Sequence, residues 1–230
     1  MTRATWEAGD SWRIPAIVAV AVLVLSPAFV AAQETVPRFP FGVPAVMLPV
    51  QSSLPTPGGA WPGRAASEED AVRAMDAELE FALRDRRGAD EWAFPSDLRR
   101  SVRRNPMLRV NPDRVAYQGL LKAPDRRDQI YEPLHGELRA LAALYGTRFV
   151  VLPLRLRIAP VDGDSPAASA AAACAEGAAP VQAELLLALI DIRRSAVLWH
   201  GSVRGEAGCP DSGALLAALA AQVARRITES

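Results

Sequence analysis

Three segments with β-strand patterns follow one another in the last third of the chain, and they limit the folds that it can adopt. Arg148 to Ile158 alternates apolar residues with prolines and arginines, the pattern of a strand with one buried face. Val181 to Ile192 is almost continuously apolar, as expected of a central strand covered on both faces. Ala196 to Gly205 begins after a connection short enough for a tight hairpin. These segments predict an antiparallel three-stranded meander.

Side-chain periodicity adds detail to this meander. Leu152, Leu154, Leu156 and Ile158 have the same parity, so they are expected to share one buried face of the first strand. A helix from Ser212 to Ile227 has its large apolar residues on one side and is expected to cover the sheet.

The first half of the chain alternates strand and helix patterns. Ser67 is expected to cap a helix that begins with acidic residues and ends before Gly88. Ser96 is expected to cap a second helix, and Pro112 to begin a short third one. The elements expected before the meander are a strand at about 43–51, a helix at 67–87, a strand at 92–94, the two short helices and a helix at 133–145. The prediction is an α/β fold with a mixed sheet of about five strands and helices packed on the sheet.

The N-terminus has the features of a secretory signal. Ile14 to Val30 is an apolar run preceded by Arg3 and Arg13 and followed by small residues. This pattern predicts a signal peptide at 1–32 that is cleaved after Ala32. The run is short for a membrane span, and an uncleaved N-terminal anchor is the alternative. The protein is therefore expected to be exported, to the periplasm.

The remaining chain divides into an arm and a domain. Residues 33–64 contain seven prolines and form the arm, which includes the expected first strand. Its aromatic residues Phe39, Phe41 and Trp61 either pack on the domain or are presented to a partner. Residues 65–230 are expected to form a single α/β domain.

Cys174 and Cys209 are the two cysteines of the chain. Cys174 lies in a loop at 160–180 that is rich in Ala, Gly and Ser and is expected to be flexible. In a meander, this loop and the chain after Gly205 leave the sheet at the same end, so the two thiols can meet. Since export implies an oxidising environment, a disulfide is predicted, with two unpaired thiols as the alternative.

The sequence offers little support for catalysis. Its 26 basic and 26 acidic residues balance, which argues against a dedicated nucleic-acid binder. Its two histidines, His135 and His200, are too few for a convincing metal cluster and are interpreted as structural. Nucleotide-binding, nucleophile-elbow and zinc-protease motifs do not occur in the sequence. No catalytic residue, metal ligand or cofactor is predicted.

One charged cluster stands out. Arg99, Arg100, Arg103 and Arg104 place four positive charges on two turns of a predicted helix. They could contact an anionic surface, such as lipopolysaccharide, phospholipid or an acidic partner. A solvated helix face is the alternative interpretation.

Three stretches resemble a known superfamily of bacterial envelope proteins, that of the TolB N-terminal domain, CsgG and LpoB. They are AVMLPVQ at Ala45 to Gln51, LAALYGTRFVVLPLRLRI at Leu141 to Ile158, and LLLALIDIRRSAVLWHGSVRGE at Leu185 to Glu206. In the last stretch Asp191 matches the hairpin pattern of the superfamily, whereas Ser195 stands where a turn glycine is usual.

The resemblance implies a non-catalytic periplasmic adaptor that binds other envelope proteins. The sequence therefore predicts an exported protein-interaction or scaffold module, with envelope proteins as partners and peripheral membrane contact as a further option. The alternative is a periplasmic small-ligand-binding protein or a hydrolase with its site near the 160–180 loop.

Overall fold

The structure is a computed structural model that describes residues 43–55, 61, 65–84, 86, 90–122, 129–161, 174, 180–210 and 213–228. Its strands are β1 (Ala45–Met47), β2 (Trp92–Ala93), β3 (Phe149–Pro160), β4 (Val181–Asp191) and β5 (Ala196–Gly208). Its α-helices are α1 (Glu68–Arg84), α2 (Pro95–Arg104), α3 (Leu134–Ala143) and α4 (Gly213–Thr228), and a 3-10 helix spans Tyr117–Leu120. The predicted signal peptide and nearly all of the 160–180 loop lie outside the described residues.

The five strands form one mixed sheet in the order β2-β1-β3-β4-β5. β1 is parallel to both of its neighbours, whereas β3 pairs antiparallel with β4, and β4 with β5. The α/β class, the mixed five-stranded sheet and the C-terminal meander are therefore confirmed. The first strand is shorter than expected, because its ladder ends at Met47.

Helices cover both faces of the sheet and enclose two hydrophobic cores. The α1–α4 core lies between the sheet and helices α1 and α4, and the α2–α3 core lies on the opposite face. β4 supplies both cores, since Leu187 and Leu189 face the first while Ala188 and Ile190 face the second. Burial on both sides explains why this strand is almost continuously apolar.

A β-bulge in β3 changes which face its leucines occupy. Leu154 has no partner in the ladder with β4, so the side-chain alternation shifts by one residue there. Leu152 and Leu154 are buried in the α2–α3 core, whereas Leu156 and Ile158 are buried in the α1–α4 core. The expectation that these four residues share one face is therefore wrong, because the period of two holds only within an unbulged strand.

The start of α2 also differs from the sequence expectation. Pro95, rather than Ser96, marks the boundary, and Phe94 occupies the N-cap position. Proline suits the first turn of a helix because no intrahelical acceptor is available to an N–H there. Ser96 instead donates its hydroxyl hydrogen to Glu80 of α1 at 2.8 Å.

The segment at Pro112 forms a turn and not a helix. The Asn111 side chain accepts a hydrogen bond from the backbone N–H of Asp113 at 3.0 Å. Gln51 donates through its side chain to the carbonyl of Pro112 at 3.0 Å and accepts from the N–H of Val115 at 3.0 Å. These tertiary bonds satisfy backbone groups that a helix would have to pair internally, so the turn prevails.

The β4–β5 hairpin is organised by a buried carboxylate. Asp191 is 1% exposed and accepts hydrogen bonds from the backbone N–H groups of Arg193 and Arg194 at 3.1 and 3.3 Å. It also accepts hydrogen bonds from the guanidinium of Arg148, whose Nε lies 2.8 Å from Oδ1 of Asp191. Ser195 has a φ of 52°, in the left-handed region that favours glycine, which matches the departure noted at this position.

α4 packs very closely on β5. A Cβ added to Gly205 would lie 3.0 Å from both the backbone N and the Cα of Leu219. Even the methyl group of alanine would require the backbone of α4 to move by a few tenths of an ångström, so glycine allows this close packing. Among the described residues, none of the helices combines the length and apolar character needed to cross a membrane.

Candidate interaction site

Asp76 is a buried carboxylate on the apolar side of α1. It is 2% exposed, and its Oδ1 accepts the backbone N–H of Val50 at 2.8 Å. Its Oδ2 accepts a hydrogen bond from Nη2 of Arg99 at 2.5 Å. Burial raises the pKa of Asp76 to about 6, although the Val50 N–H and the Arg99 guanidinium act in the opposite direction. The carboxylate is therefore mainly ionised at neutral pH.

Arg99 joins this carboxylate to a second one. Its Nε donates to Oδ1 of Asp113 at 2.8 Å, and its side chain is 23% exposed. Burial acts to lower the pKa of Arg99, but its hydrogen bonds with Asp113 and Asp76 outweigh that effect and raise the pKa above its usual value. Three charges from α1, α2 and the 111–114 turn thus hold these segments together.

A cleft opens beside this ion-pair cluster, and we call it the α1–α2 cleft. Its volume is about 620 Å³. It is lined by Glu68, Glu69, Val72, Arg73, Arg99, Val102, Arg103, Asn111, Pro112, Asp113 and Arg114. Val72 and Val102 are half-buried, and they pack against the α1–α4 core and the α2–α3 core, respectively. The lining of the cleft therefore combines two apolar side chains with charged ones.

The carboxylates in the cleft lining already have partners. Glu68 accepts the backbone N–H of Ser53 at 3.1 Å, and Glu69 pairs with Arg73 at 2.5 Å. Asp113 pairs with Arg99, as described above. Within the described part of the chain, the side chains of Arg103 and Arg114 have no hydrogen-bond or ion-pair partner, so they are the lining charges left available to a ligand.

The four arginines singled out in the sequence do not behave as one group. Arg99 forms ion pairs with Asp76 and Asp113, and its partly exposed side chain also lines the cleft. Arg100 lies 3.6 Å from Asp97, and Arg104 is exposed. Arg103 lines the cleft. Contact with an anionic surface remains a prediction for Arg100, Arg103 and Arg104.

Sequence reasoning missed Asp76, Asp113 and Arg114. A signal for Asp76 was present, because this carboxylate directly follows Met75 within the buried side of α1. An acidic residue in an apolar stripe is tolerated only with a charged partner or a shifted pKa, and here both occur. Asp113 and Arg114 gave no comparable signal, since their place in the cleft depends on the tertiary fold.

His135 and Ser195 form a second polar contact, outside the cleft. Nε2 of His135 lies 3.0 Å from Oγ of Ser195 and 3.3 Å from the carbonyl oxygen of Ile192, and Nδ1 lies 3.4 Å from Glu132. A hydrolase would also need N–H groups to stabilise an oxyanion. The N–H of Ser195 donates to the carbonyl of Ile192, and the N–H groups of Arg193 and Arg194 donate to the Asp191 carboxylate, so none of these three is free to bind an oxyanion. The contact therefore ties α3 to the hairpin.

The structure also places the remaining predicted residues. Cys174 and Cys209 are joined in a disulfide with a Cα–Cα distance of 5.4 Å, as the meander topology leads one to expect. His200 bonds the carbonyl of Leu120 at 2.7 Å, a structural contact. Phe39 and Phe41 lie outside the described residues, as does most of the loop proposed for a ligand site, while Trp61 is half-buried. A search of the described residues finds no metal-binding group of three His, Cys, Asp or Glu side chains.

Comparison with known proteins gives distant structural similarities only. No family model matches the sequence, and no curated protein matches it. The LpoB C-terminal domain from Salmonella enterica is similar at a TM-score of 0.34 and 10% identity, covering 72% of this chain and 83% of that one. A PelC dodecamer structure from Paraburkholderia phytofirmans is similar at a TM-score of 0.38 and 12% identity, covering 84% and 91% of the two chains.

The LpoB part of the expected resemblance thus has a counterpart among solved structures, whereas these likenesses add nothing specific to TolB or CsgG. At TM-scores below 0.5 they leave the function of this chain to be inferred from its own residues.

The pKa of Asp76 makes a testable prediction about stability. Since the folded-state pKa is about 6 and the ordinary value is 3.8, the folded protein binds a proton more readily between these pH values. The contribution of Asp76 to the free energy of unfolding should therefore rise as pH falls from 7 to 4, by about 3 kcal/mol at most. Urea unfolding of the native protein and D76N across this range measures it.

The stability of the native protein relative to D76N should increase toward acid pH. D90N removes an exposed carboxylate and is the control for losing a negative charge. Parallel pH profiles for the native protein and D76N would show that the pKa of Asp76 is not raised.

Proposed function

We propose that this chain is an exported, non-catalytic envelope protein that binds another protein through the α1–α2 cleft. The observation that carries the proposal is the make-up of the cleft, whose lining combines apolar Val72 and Val102 with seven charged side chains. An apolar centre within a polar rim is the usual organisation of a protein interface. Small-ligand pockets, in contrast, are lined mostly by apolar side chains with a few polar groups.

The chemistry of the lining favours binding over catalysis. The lining side chains include neither a nucleophilic hydroxyl or thiol nor a histidine. Each lining carboxylate is held by a backbone N–H or an arginine, which leaves these groups poorly placed to accept a substrate proton. Asp76, whose pKa is raised, is buried behind Arg99.

Export is supported by two features of the chain. The N-terminal sequence has the pattern of a signal peptide, and the disulfide between Cys174 and Cys209 suits an oxidising compartment. In an adaptor of this kind, the sheet, its disulfide and the two cores would provide a rigid support for the cleft.

Site-specific photo-crosslinking in the native cell tests the proposal. A photoreactive amino acid is placed at Glu69 or Arg73 in the cleft and, as controls, at exposed Arg139 on α3 or Arg157 on β3. We expect the same envelope protein to be attached from both cleft positions and from neither control position. Absence of a product from the cleft positions, or identical products from all four, would contradict the proposal.

A further inference from the structure

In the α1–α2 cleft, the charged groups that are free to bind a ligand are positive. Its carboxylates are engaged within the fold, whereas the guanidinium groups of Arg103 and Arg114 have no partner in the described part of the chain. Arg103 comes from α2 and Arg114 from the turn that forms another wall, so the two charges approach the same space from different segments.

The surroundings of the cleft strengthen this positive character. Residues 99–114 contain six arginines and a single acidic residue, Asp113, although the whole chain has a formal net charge of zero. Asp113 is paired with Arg99, while Arg104 and Arg109 are exposed and have no partner among the described side chains. The wall of the cleft formed by residues 99–114 therefore attracts anions, whereas the α1 wall carries Glu68 and Glu69 beside Arg73.

We propose that the cleft binds an acidic segment of the partner protein, with its carboxylates on Arg103 and Arg114. An apolar side chain of the same segment contacts Val72 and Val102. This inference rests on the proposed function and adds the chemistry of the partner. Arginine suits such a role because its planar guanidinium can hold a carboxylate through two parallel hydrogen bonds.

The shape of the site favours a protein segment over a membrane. Val72 and Val102 line a concave cleft, which an extended peptide can enter but a flat bilayer surface cannot follow. The rim also carries Glu69, whose side chain is 70% exposed and would repel a uniformly anionic surface. A peptide can avoid this carboxylate, because its own charges lie at separate positions.

Fluorescence anisotropy of the purified protein with a labelled probe tests the inference. The probe is the synthetic peptide Gly-Asp-Leu-Glu-Asp-Leu-Glu-Gly, compared with a peptide in which lysine replaces each acidic residue. We expect salt-sensitive binding of the acidic peptide, which R103Q/R114Q weakens roughly tenfold or more. The matched control R139Q/R193Q removes two other exposed arginines, and we expect it to bind as the native protein does.

Several results would overturn the inference. They are equal binding of the two peptides, no binding of the acidic peptide at millimolar concentration, and equal effects of the two double substitutions. Tighter binding to phosphatidylglycerol vesicles than to the peptide, lost in R103Q/R114Q, would assign the arginines to a membrane instead. Cleft crosslinks that persist unchanged in R103Q/R114Q cells would overturn the acidic partner alone, whereas missing crosslinks in the native protein would contradict the proposed function itself.

Discussion

Replacing Asp191 by alanine is expected to lower the free energy of unfolding by about 2 to 3 kcal/mol, the usual cost of removing a buried acceptor from its hydrogen-bond donors. This carboxylate is 1% exposed and joins the end of β4 both to Arg148, next to the start of β3, and to the hairpin turn. Alanine leaves the Arg148 guanidinium and two turn N–H groups without their acceptor. Urea unfolding at pH 7 measures the loss.

The pH dependence of this effect has the opposite sign to that of Asp76. Hydrogen bonding from Arg148 is the largest cause that lowers the pKa of Asp191 below its ordinary value. Its stabilising contribution is therefore present above pH 4 and is lost as pH falls through the lowered folded-state pKa. E206A, which removes an exposed carboxylate on β5, is the control and should change stability by less than about 0.5 kcal/mol. A similarly small effect of D191A would show that the hairpin does not depend on this carboxylate.

Replacing both cysteines by alanine is expected to destabilise the protein by about 3 to 4 kcal/mol. The disulfide closes a loop with a sequence separation of 35 residues, from the connection between β3 and β4 to the segment just before α4. Without the bond, the unfolded chain gains conformational freedom, which shifts the equilibrium away from the folded state. The double substitution avoids the free thiol that a single one would leave.

Urea unfolding of the oxidised native protein, the reduced native protein and C174A/C209A tests this prediction. The reduced protein and the double variant should unfold at similar urea concentrations, both below that of the oxidised protein. Coincident transitions for all three would show that the bond adds no stability. Together with the Asp191 variants, this series tests the two ends of the meander separately, because Asp191 and the disulfide lie at opposite ends of β4.

Local patterns in the sequence were sufficient to predict much of the fold. The continuous apolar run of β4, the short connection to β5 and the one-sided apolar pattern of α4 each specify their element without reference to the rest of the chain. The cysteine pairing followed from the meander topology, since that topology brings the two loop ends together. In each of these elements the structure matches the preference of the local sequence, so the element could be predicted from the sequence alone.

The errors share a physical origin in contacts between distant parts of the chain. Gln51 bonds the 112–115 segment and favours a turn where Pro112 alone suggested a helix. The ion pair between Asp76 and Arg99 was likewise not predictable from the four neighbouring arginines. The candidate cleft was not predictable for the same reason, because α1, α2 and the 111–114 turn form it only after they pack together.

The bulge at Leu154 also determines which changes in chain length the domain can accept. Leu154 is the extra residue of the bulge, because Pro153 pairs with Leu187 and Arg155 pairs with Leu186, its neighbour along β4. Deleting Leu154 would leave a continuous ladder in which Leu156 still pairs with Leu185, so the later residues of β3 would keep their faces. The α2–α3 core would lose one fully buried leucine. Homologous chains in which β3 lacks the bulge should therefore be one residue shorter between β1 and the end of β3, and another apolar side chain should fill the space of Leu154.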